Sequence, residues 1–287
     1  MKPVSQSTLA WRKICHEKWV DSWQERLLWL GPERLVITQL SGSKSVRLEI
    51  YDVTRSEAAV LKKEFGGEIR NLNRSSADWV KSIVQKKPIP IRGKLRILNR
   101  DPEPADPADA DILYVPASLA FGTGEHATTA GCLRLLCDTI RGRPAGWSFL
   151  DVGTGTGILA LAAVKLGAGQ VHAFDSDAVA VRTAKQNSRL NGLSKKVRIW
   201  RQDILQFEPE STYDIIAANL YSVLLRQALP RLVKAATHHS FFIFSGILRD
   251  QTAEVKVWLE RSRLQVNEAR SRGKWTTLLA QQRRGGR

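Results

Sequence analysis

The chain has 287 residues, of which 43% are apolar and 25% are charged. This length and composition fit one large domain or two modest ones, and they exclude a wholly disordered, collagenous or fibrous chain. No apolar run reaches the roughly 18–20 residues that a membrane helix needs. The first residues lack an apolar signal core, and the three cysteines have neither disulfide-framework nor zinc-ligand spacing. We therefore expect a cytoplasmic protein.

Positive charge is concentrated towards the two ends of the chain, whose formal net charge is +16. Residues 1–100 hold 20 basic and 10 acidic residues, residues 251–287 hold 9 and 3, and the region between them is neutral. The stretch Lys81–Arg100 holds seven basic residues and no acid. Such flanks indicate either a polyanionic partner, such as RNA or a ribosomal particle, or a solvated basic surface.

Residues 1–100 show the pattern of a small α+β domain. A helix is predicted near Ser7–Leu30, and a second helix is predicted to begin at the N-cap Thr54 and to end at Glu64, before Gly66. The remaining predicted elements are strands at Arg34–Leu40, Ser45–Tyr51, Glu68–Leu72 and Lys94–Leu98 and a helix at Ser75–Val84. Residues 101–111 are acidic and rich in proline, and we interpret them as a linker.

From residue 112 to residue 287 apolar runs alternate with helical stretches. The predicted strands are Trp147–Val152, Gln170–Phe174, Val197–Trp200, Tyr213–Ala218, Phe241–Ile247, Leu264–Ala269 and Trp275–Gln281, and the predicted helices are Thr129–Ile140, Ile158–Leu166, Asp177–Asn191, Ser222–Ala235 and Asp250–Ser262. Regular alternation is typical of an α/β domain with a mostly parallel sheet covered on both faces. No helix separates the last two strands, which predicts an antiparallel hairpin at one edge of the sheet.

The strongest local motif is Phe149-Leu-Asp-Val-Gly-Thr-Gly-Thr-Gly157, which follows a buried strand and opens a helix. Glycines there let the chain turn tightly and bring its backbone close to a ligand. Asp175 lies at the end of the next strand, 22 residues after Gly153, where a carboxylate can accept both hydrogens of a ribose diol. The combination predicts a cofactor that contains a nucleoside.

The spacing of this turn also indicates which cofactor it takes. Dinucleotide-binding turns carry glycines at relative positions 1, 3 and 6, whereas here they stand at 153, 155 and 157, and Asp151 precedes them. This form resembles the turn of class I S-adenosylmethionine-dependent methyltransferases and implies their Rossmann-like fold. A dinucleotide site and a turn that serves packing alone are the two alternatives.

Two polar residues follow later strands and extend the candidate cofactor site. Asn219 ends the fourth strand, where class I methyltransferases place groups that face the transferred methyl, and the alternative is an asparagine that caps the strand or the next helix. Asp203 follows the third strand, where a carboxylate can take the adenine amino group, and its alternative role is helix capping.

The run Leu119-Ala-Phe-Gly-Thr-Gly-Glu-His-Ala-Thr-Thr129 resembles the signature of the PrmA family, which methylates the eleventh protein of the large ribosomal subunit. Further similar runs are Leu150–Leu159, Ala218–Leu220 and Ser245–Leu248. The resemblance implies that Thr129, Gly153, Asp175 and Asn219 bind S-adenosylmethionine. A helix N-terminus at Thr128 and Thr129 is the alternative.

The resemblance implies methyl transfer to a lysine or α-amine nitrogen of a ribosomal protein, with substrate recognition by the N-terminal region. The cofactor-binding positions that we predict are Thr129, Gly153, Gly155, Asp175, Asp203 and Asn219. We name no general base, because the sulfonium is already a strong leaving group, and no metal, because His126 lacks partner ligands. The alternatives are a methyltransferase of the same core that acts on RNA or another protein, and a non-catalytic binding module.

Overall fold

The computed structural model divides the chain into two compact units, residues 1–85 and 86–287. It describes residues 8–17, 20, 23, 27, 30, 34–40, 43–72, 88–104, 106, 109–116 and 120–282. The predicted helix Ser75–Val84 and the lysines at 81, 86 and 87 lie outside the described residues. No described helix is long and apolar enough to cross a membrane.

The first unit contains a four-stranded antiparallel sheet and one described helix, as an α+β domain requires. Its strands are β1 (Thr8–His16), β2 (Leu35–Gln39), β3 (Ser45–Val53) and β4 (Glu68–Leu72), in the order β2-β3-β1-β4, and its helix is α1 (Arg55–Phe65). Thr54 accepts a hydrogen bond from the backbone of Glu57, whose side chain bonds back to Thr54, so the predicted cap is confirmed.

The predicted helix near Ser7–Leu30 is wrong in its first part, because Thr8–His16 form the strand β1. This strand lies in the middle of the sheet and bonds to β3 on one side and to β4 on the other. Trp11, which is fully buried, anchors it and donates its indole N–H to the carbonyl of Gly66 at 2.7 Å. The residues of β3 and β4 that pair with β1 are roughly 30 to 60 positions away from it in the sequence. No local sequence pattern could therefore reveal this strand.

The boundary between the units differs from the predicted one, because residues 86–100 belong to the second unit. There β5 (Ile89–Ile91), β6 (Leu95–Leu98) and β7 (Ile112–Tyr114) form a small sheet in which β6 and β7 are parallel. The segment 101–111, predicted to be a linker, therefore joins two paired strands of one sheet. Its carboxylates pair with the strand that precedes it, since Asp111 accepts from Arg96 at 2.8 Å and Asp106 accepts from Arg100 at 2.7 Å.

The rest of the second unit is a seven-stranded sheet with helices on both faces, as predicted. Its strands are β8 (Ser148–Val152), β9 (Gln170–Asp175), β10 (Val197–Arg201), β11 (Tyr213–Asn219), β12 (Ala236–Leu248), β13 (Leu264–Arg272) and β14 (Trp275–Gln282). Its helices are α2 (Ala127–Thr139), α3 (Ile158–Lys165), α4 (Ala178–Leu190), α5 (Ser222–Lys234) and α6 (Thr252–Arg261).

The strand order is β10-β9-β8-β11-β12-β14-β13, and only β14 runs antiparallel to its two neighbours. Helices α2, α3 and α4 pack on one face of the sheet, while α5 and α6 pack on the other. The chain leaves β8 in one direction for β9 and β10 and returns to the other side of β8 at β11. Open α/β sheets bind ligands at such a switch point, outside the carboxyl ends of the strands, which places the candidate site between β8 and β11.

Candidate active site

The glycine turn leaves β8 with three alternate residues in the left-handed region: φ is 69° at Gly153, 55° at Gly155 and 84° at Gly157. The carbonyl of Phe174, at the end of β9, accepts from the backbone N–H groups of Gly153 and Thr154, each at 3.0 Å. The turn is therefore held to the neighbouring strand before α3 begins. Its predicted position after a buried strand and before a helix is confirmed.

A second segment, the loop 120–126, packs directly on this turn. The carbonyl of Phe121 accepts from the backbone N–H of Thr156 at 2.9 Å, and the carbonyl of Gly122 accepts from the Thr156 hydroxyl. A Cβ at Gly155 would stand 2.2 Å from the Phe121 oxygen, so only glycine fits. Asn99, directly after β6, anchors the loop by donating to the carbonyls of Thr123 at 2.7 Å and Val115 at 3.0 Å.

Asp175 ends β9 beside the turn and is half-buried. One carboxylate oxygen accepts from the backbone N–H of Gly155 and the other accepts from that of Asp177, both at 3.0 Å. A carboxylate has about four acceptor positions, so two remain for further donors. The side chain is thus fixed in orientation while it retains the capacity to accept two hydroxyl groups.

Asp151 is buried beneath the turn, with an exposed fraction of 1%. One of its oxygens accepts from the Thr154 hydroxyl at 2.6 Å and from the backbone N–H of Ala160 at 3.1 Å. The other oxygen is buried without a hydrogen-bond partner among the described residues. Burial raises the pKa of Asp151 to about 7, and the nearby charge of Asp175 raises it further by a smaller amount. The two hydrogen bonds act in the opposite direction and lower this pKa.

Asn219 ends β11 and belongs to a hydrogen-bonded chain of three side chains. Its amide donates to the Thr128 hydroxyl oxygen at 3.3 Å, and that hydroxyl lies 2.7 Å from Nδ1 of His126. Nδ1 also accepts from the backbone N–H of Thr128, as the N-cap of α2, so the Thr128 hydroxyl is the donor to it. This direction of donation leaves the Asn219 carbonyl oxygen free to accept from a ligand.

The His126 ring lies between two aromatic rings, with centroids 5.1 Å from Phe121 and 5.4 Å from Trp275. Burial, together with the nearby charge of Lys274, lowers the pKa of His126 below its ordinary value. The imidazole is therefore neutral at physiological pH, which matches its role as acceptor at Nδ1. His126 acts as a structural N-cap that orients Thr128.

The remaining predicted positions lie at the same end of the sheet. Thr129 is 1% exposed in the first turn of α2, and its hydroxyl is buried without a hydrogen-bond partner among the described residues. Asp203 follows β10 and is exposed, and it accepts from the backbone N–H of Leu205 at 2.9 Å at the start of a 3-10 turn. The capping alternative for Asp203 is thus realised through one of its oxygens.

The strand order arranges four of these positions in a row. Asp203 follows β10, Asp175 ends β9, Gly153 follows β8 and Asn219 ends β11, and these four strands are consecutive neighbours in the sheet. Adjacent strands lie about 4.8 Å apart, so the row spans roughly 15 Å. A single extended molecule can therefore contact all four positions.

The structure also shows contacts that the sequence did not reveal. Thr128 is the partner of Asn219, and the Phe121 carbonyl accepts from the glycine turn. Asn99 carries no motif that could have identified it as the anchor of the loop. The Thr-Thr pair at the end of the 119–129 run was the only signal for Thr128.

The chain matches the family model described as ribosomal protein L11 methyltransferase (PrmA) over residues 32–283. Among curated relatives, the ribosomal protein L11 methyltransferase of Pelobacter propionicus is 36% identical over 208 residues, and the aligned part covers 71% of this chain and 66% of that protein. The relative from Pelotomaculum thermopropionicum is 33% identical over 245 residues, which cover 83% of this chain and 76% of that protein.

Among solved structures, a ribosomal protein L11 methylase from Lactobacillus delbrueckii subsp. bulgaricus is 29% identical and superimposes with a TM-score of 0.61, covering 69% of this chain and 100% of that one. The family model reaches back to residue 32 and so includes much of the first unit. The predicted family and fold are confirmed: the chain belongs to the ribosomal protein L11 methyltransferase (PrmA) family of S-adenosylmethionine-dependent methyltransferases.

Proposed function

We propose that this enzyme transfers a methyl group from S-adenosylmethionine to an amine nitrogen of a ribosomal protein, the L11 protein for which its relatives are named. The observation that carries the proposal is the contact between the family-specific loop and the glycine turn, through the Phe121 carbonyl and the Thr156 N–H. This contact joins residues that are 35 positions apart in the sequence (156 − 121) and brings the two motifs to one site at the switch point of the sheet.

The residues of the site fit S-adenosylmethionine. We infer that Asp203 takes the adenine amino group, that Asp175 takes the ribose hydroxyls, and that the backbone at Gly153 and Gly155 lies against the nucleoside. The buried Thr129 hydroxyl, which has no partner among the described residues, supports a polar contact with the cofactor, since an unsatisfied buried hydroxyl costs about 1–3 kcal/mol.

When bound, S-adenosylmethionine supplies a methyl group attached to a positively charged sulfur. That sulfur is a good leaving group and needs no acid to assist its departure. The protein's part is to position the acceptor. A neutral amine keeps one lone pair for bond formation and can donate an N–H to the free carbonyl oxygen of Asn219. The chain from Asn219 through Thr128 to His126 holds that oxygen in place, and such positioning contributes to rate without any general base.

An extended acceptor fits the surroundings of the site better than a small solute does. Phe121, Tyr221 and Val223 are large apolar residues near the ends of the site's strands, and they are 54%, 76% and 66% exposed. Exposed apolar side chains of this kind favour contact with a protein segment. We assign recognition of the rest of the acceptor protein to the first unit, as the family resemblance implies for the N-terminal region.

The cytoplasm is the compartment that we propose for this reaction. Ribosomal proteins are synthesised there, and Cys15, Cys132 and Cys137 are free thiols. Burial raises the pKa of the Cys132 thiol to about 12 and that of the Cys137 thiol to about 11, so both stay protonated and unreactive.

The test is methylation of the purified free L11 protein by the purified enzyme with tritiated S-adenosylmethionine. We expect label on the protein, at an amine nitrogen identified by mass spectrometry, and no change after RNase treatment. Label that appears only on RNA, or only on another protein of a cell lysate, would replace the proposal with one of the two alternative methyltransferase functions. Binding of S-adenosylmethionine without any transfer would favour the binding module.

Asp175→Ala should weaken S-adenosylmethionine binding roughly tenfold to a hundredfold, because it removes the acceptor of two hydroxyl groups, worth about 1–3 kcal/mol. Isothermal titration calorimetry measures this directly. The matched control is Asp177→Ala, which removes the N-cap of α4, bonded to the Val179 N–H at 2.7 Å. The control should lower stability by about 1 kcal/mol and keep the affinity; equal affinities of the two variants would remove Asp175 from the site.

Asn219→Ala should reduce turnover about tenfold or more while the melting temperature stays nearly normal, because positioning is lost and no cap is removed. Tyr221, not Asn219, is the N-cap residue of α5, so the capping alternative is not realised there. Asn191→Ala is the control: this side chain bonds to both the N–H and the carbonyl of Tyr114, at 2.8 and 2.7 Å. The control should have a lowered melting temperature and normal turnover. An Asn219→Ala variant with a lowered melting temperature and normal turnover would refute the role of Asn219.

A further inference from the structure

Four arginines that are distant in the sequence meet on one surface of the second unit. Arg134 lies on α2, Arg92 lies in the turn between β5 and β6, and Arg270 and Arg272 lie near the end of β13. Arg92 and Arg270 both reach the carboxylate of Asp138 on α2, at 2.9 and 2.6 Å. We call Arg92, Arg134, Arg270 and Arg272 the arginine cluster.

The carboxylates within the cluster are too few to neutralise it. Asp138 is shared by Arg92 and Arg270 and lies 3.5 Å from Arg141 as well, and Glu268 pairs with Arg270. Lys94 is exposed in the same turn as Arg92 and adds a further cation. Among the described residues, Arg92, Arg141 and Arg270 therefore share these two carboxylates.

Two members of the cluster, Arg134 and Arg272, pair with no carboxylate in the part of the chain that the structure describes. Arg134 lies four residues before Asp138, on the same face of α2, but Arg92 and Arg270 occupy that carboxylate. Burial, followed by the charges of Arg272, Arg92 and Arg270, lowers the pKa of Arg134. These like charges repel one another, so an anion that bridges them would be bound favourably.

The basic stretch that the sequence singled out is only partly available to a partner. Arg96 and Arg100 are neutralised by Asp111, Asp109 and Asp106 of the segment 101–111. Arg92, in contrast, reaches the carboxylate of Asp138, which Arg270 of the basic C-terminal region also reaches. The fold thus brings parts of two basic segments together on one surface, where cationic side chains outnumber carboxylates among the described residues.

We propose that the arginine cluster is a docking surface for the phosphate backbone of RNA. The planar guanidinium fork matches the oxygens of a phosphate, and a nucleic acid supplies one such charge every few ångströms. A net charge of +16 makes a densely charged polyanion a better fit than a protein segment with scattered carboxylates. The proposal does not depend on the proposed function, because RNA binding is measured without cofactor or acceptor protein.

The cluster is close to the candidate active site but separate from it. Helix α2 begins at the site, with Thr128 and Thr129, and ends beyond Asp138, about 15 Å along its axis. Arg272 pairs across the β13–β14 hairpin with Trp275, whose ring contacts His126. An RNA bound at the cluster would therefore hold the enzyme on a particle without filling the site.

The test compares Arg134→Gln/Arg272→Gln with wild type and with the control Arg182→Gln/Arg189→Gln, which removes the same charge from exposed positions on α4. The probe is a fluorescein-labelled RNA hairpin of about 24 nucleotides, titrated by anisotropy in about 50–200 mM KCl. We expect the cluster variant to bind roughly tenfold or more weakly than the control, with a slope of log affinity against log salt that is smaller by about 1–2.

Equal affinities and equal slopes for the cluster variant and the control would overturn the proposal. It would also be overturned if polyglutamate of matched charge bound the wild type more tightly than RNA did, since that would assign the surface to an acidic protein. Arg272→Glu alone changes an exposed residue and serves as the second variant if the double variant unfolds. It should weaken RNA binding at least as much as Arg272→Gln does.

Discussion

Gly155→Ala is expected to abolish measurable S-adenosylmethionine binding and to destabilise the second unit by roughly 2–4 kcal/mol. The added methyl group would stand 2.2 Å from the Phe121 carbonyl oxygen, which is backbone and cannot rotate away. Either the glycine turn or the loop 120–126 must move, and the hydrogen bond from Thr156 to Phe121 is lost in both cases. Calorimetry with S-adenosylmethionine and denaturant unfolding measure the two effects.

Gly142→Ala is the control that distinguishes the two effects of Gly155→Ala, the steric clash of the added methyl group and the backbone strain at a positive φ. Gly142 also has a positive φ, of 76°, but it is exposed, and an added methyl group would meet no atom within 4 Å. Alanine there should cost only about 1 kcal/mol and leave cofactor affinity unchanged. If Gly155→Ala bound S-adenosylmethionine as tightly as Gly142→Ala, the loop contact would have no part in forming the site.

The seven-stranded sheet of the second unit was predictable because its signals are local. Four of its strands, β8, β9, β11 and β12, contain an apolar run that is followed by a helix, and β13 and β14 form the predicted hairpin. The short strands β5 and β7 were not predicted. The first strand of the chain was not predictable in the same way. Trp11 is buried in a strand that pairs with a neighbouring strand on each side. The polar residues Arg12 and Lys13 next to it interrupt the apolar pattern by which a buried strand is recognised in a sequence.

In the candidate site, too, the local features were predictable and the contacts between distant residues were not. The glycine turn and Asp175 follow from spacing alone, because a ligand at the carboxyl ends of parallel strands needs a turn and an acceptor there. The contacts that fix their geometry come from Phe121, Thr128 and Asn99, which are distant in the sequence from the atoms they bond. For Asn219 and Asp203 the sequence left capping open, and only the hydrogen bonds distinguish them: Asp203 caps a turn, whereas Asn219 bonds to Thr128.

Charge in the segment 101–111 shows why composition alone misjudged the domain boundary. Three prolines and five acidic residues have little apolar surface to bury, which is typical of a linker. Asp106 and Asp111 nevertheless form ion pairs with Arg100 and Arg96, and the strands on either side of the segment pair in parallel. The segment is therefore a connection within the second unit, and its carboxylates Asp106 and Asp111 are held by charge instead of by burial.

Asp151→Asn should remove a pH dependence of stability that the wild type shows between about pH 4 and pH 7. The folded protein retains the Asp151 proton up to a pKa of about 7, whereas an unfolded carboxyl loses it near its ordinary value of about 4. The folded state therefore binds more protons in this window, so wild-type stability falls as pH rises, by about 3–4 kcal/mol over the whole window.

The asparagine amide mimics the protonated carboxyl. Its oxygen can accept from the Thr154 hydroxyl and the Ala160 N–H as Asp151 does, and its NH₂ takes the place of the oxygen that has no partner among the described residues. Denaturant unfolding of both proteins at a series of pH values gives the difference in free energy. We expect that difference to shift in favour of the variant as pH rises through the window, and a difference that stays constant from pH 4 to about pH 8 would show that Asp151 is ionised in the folded protein.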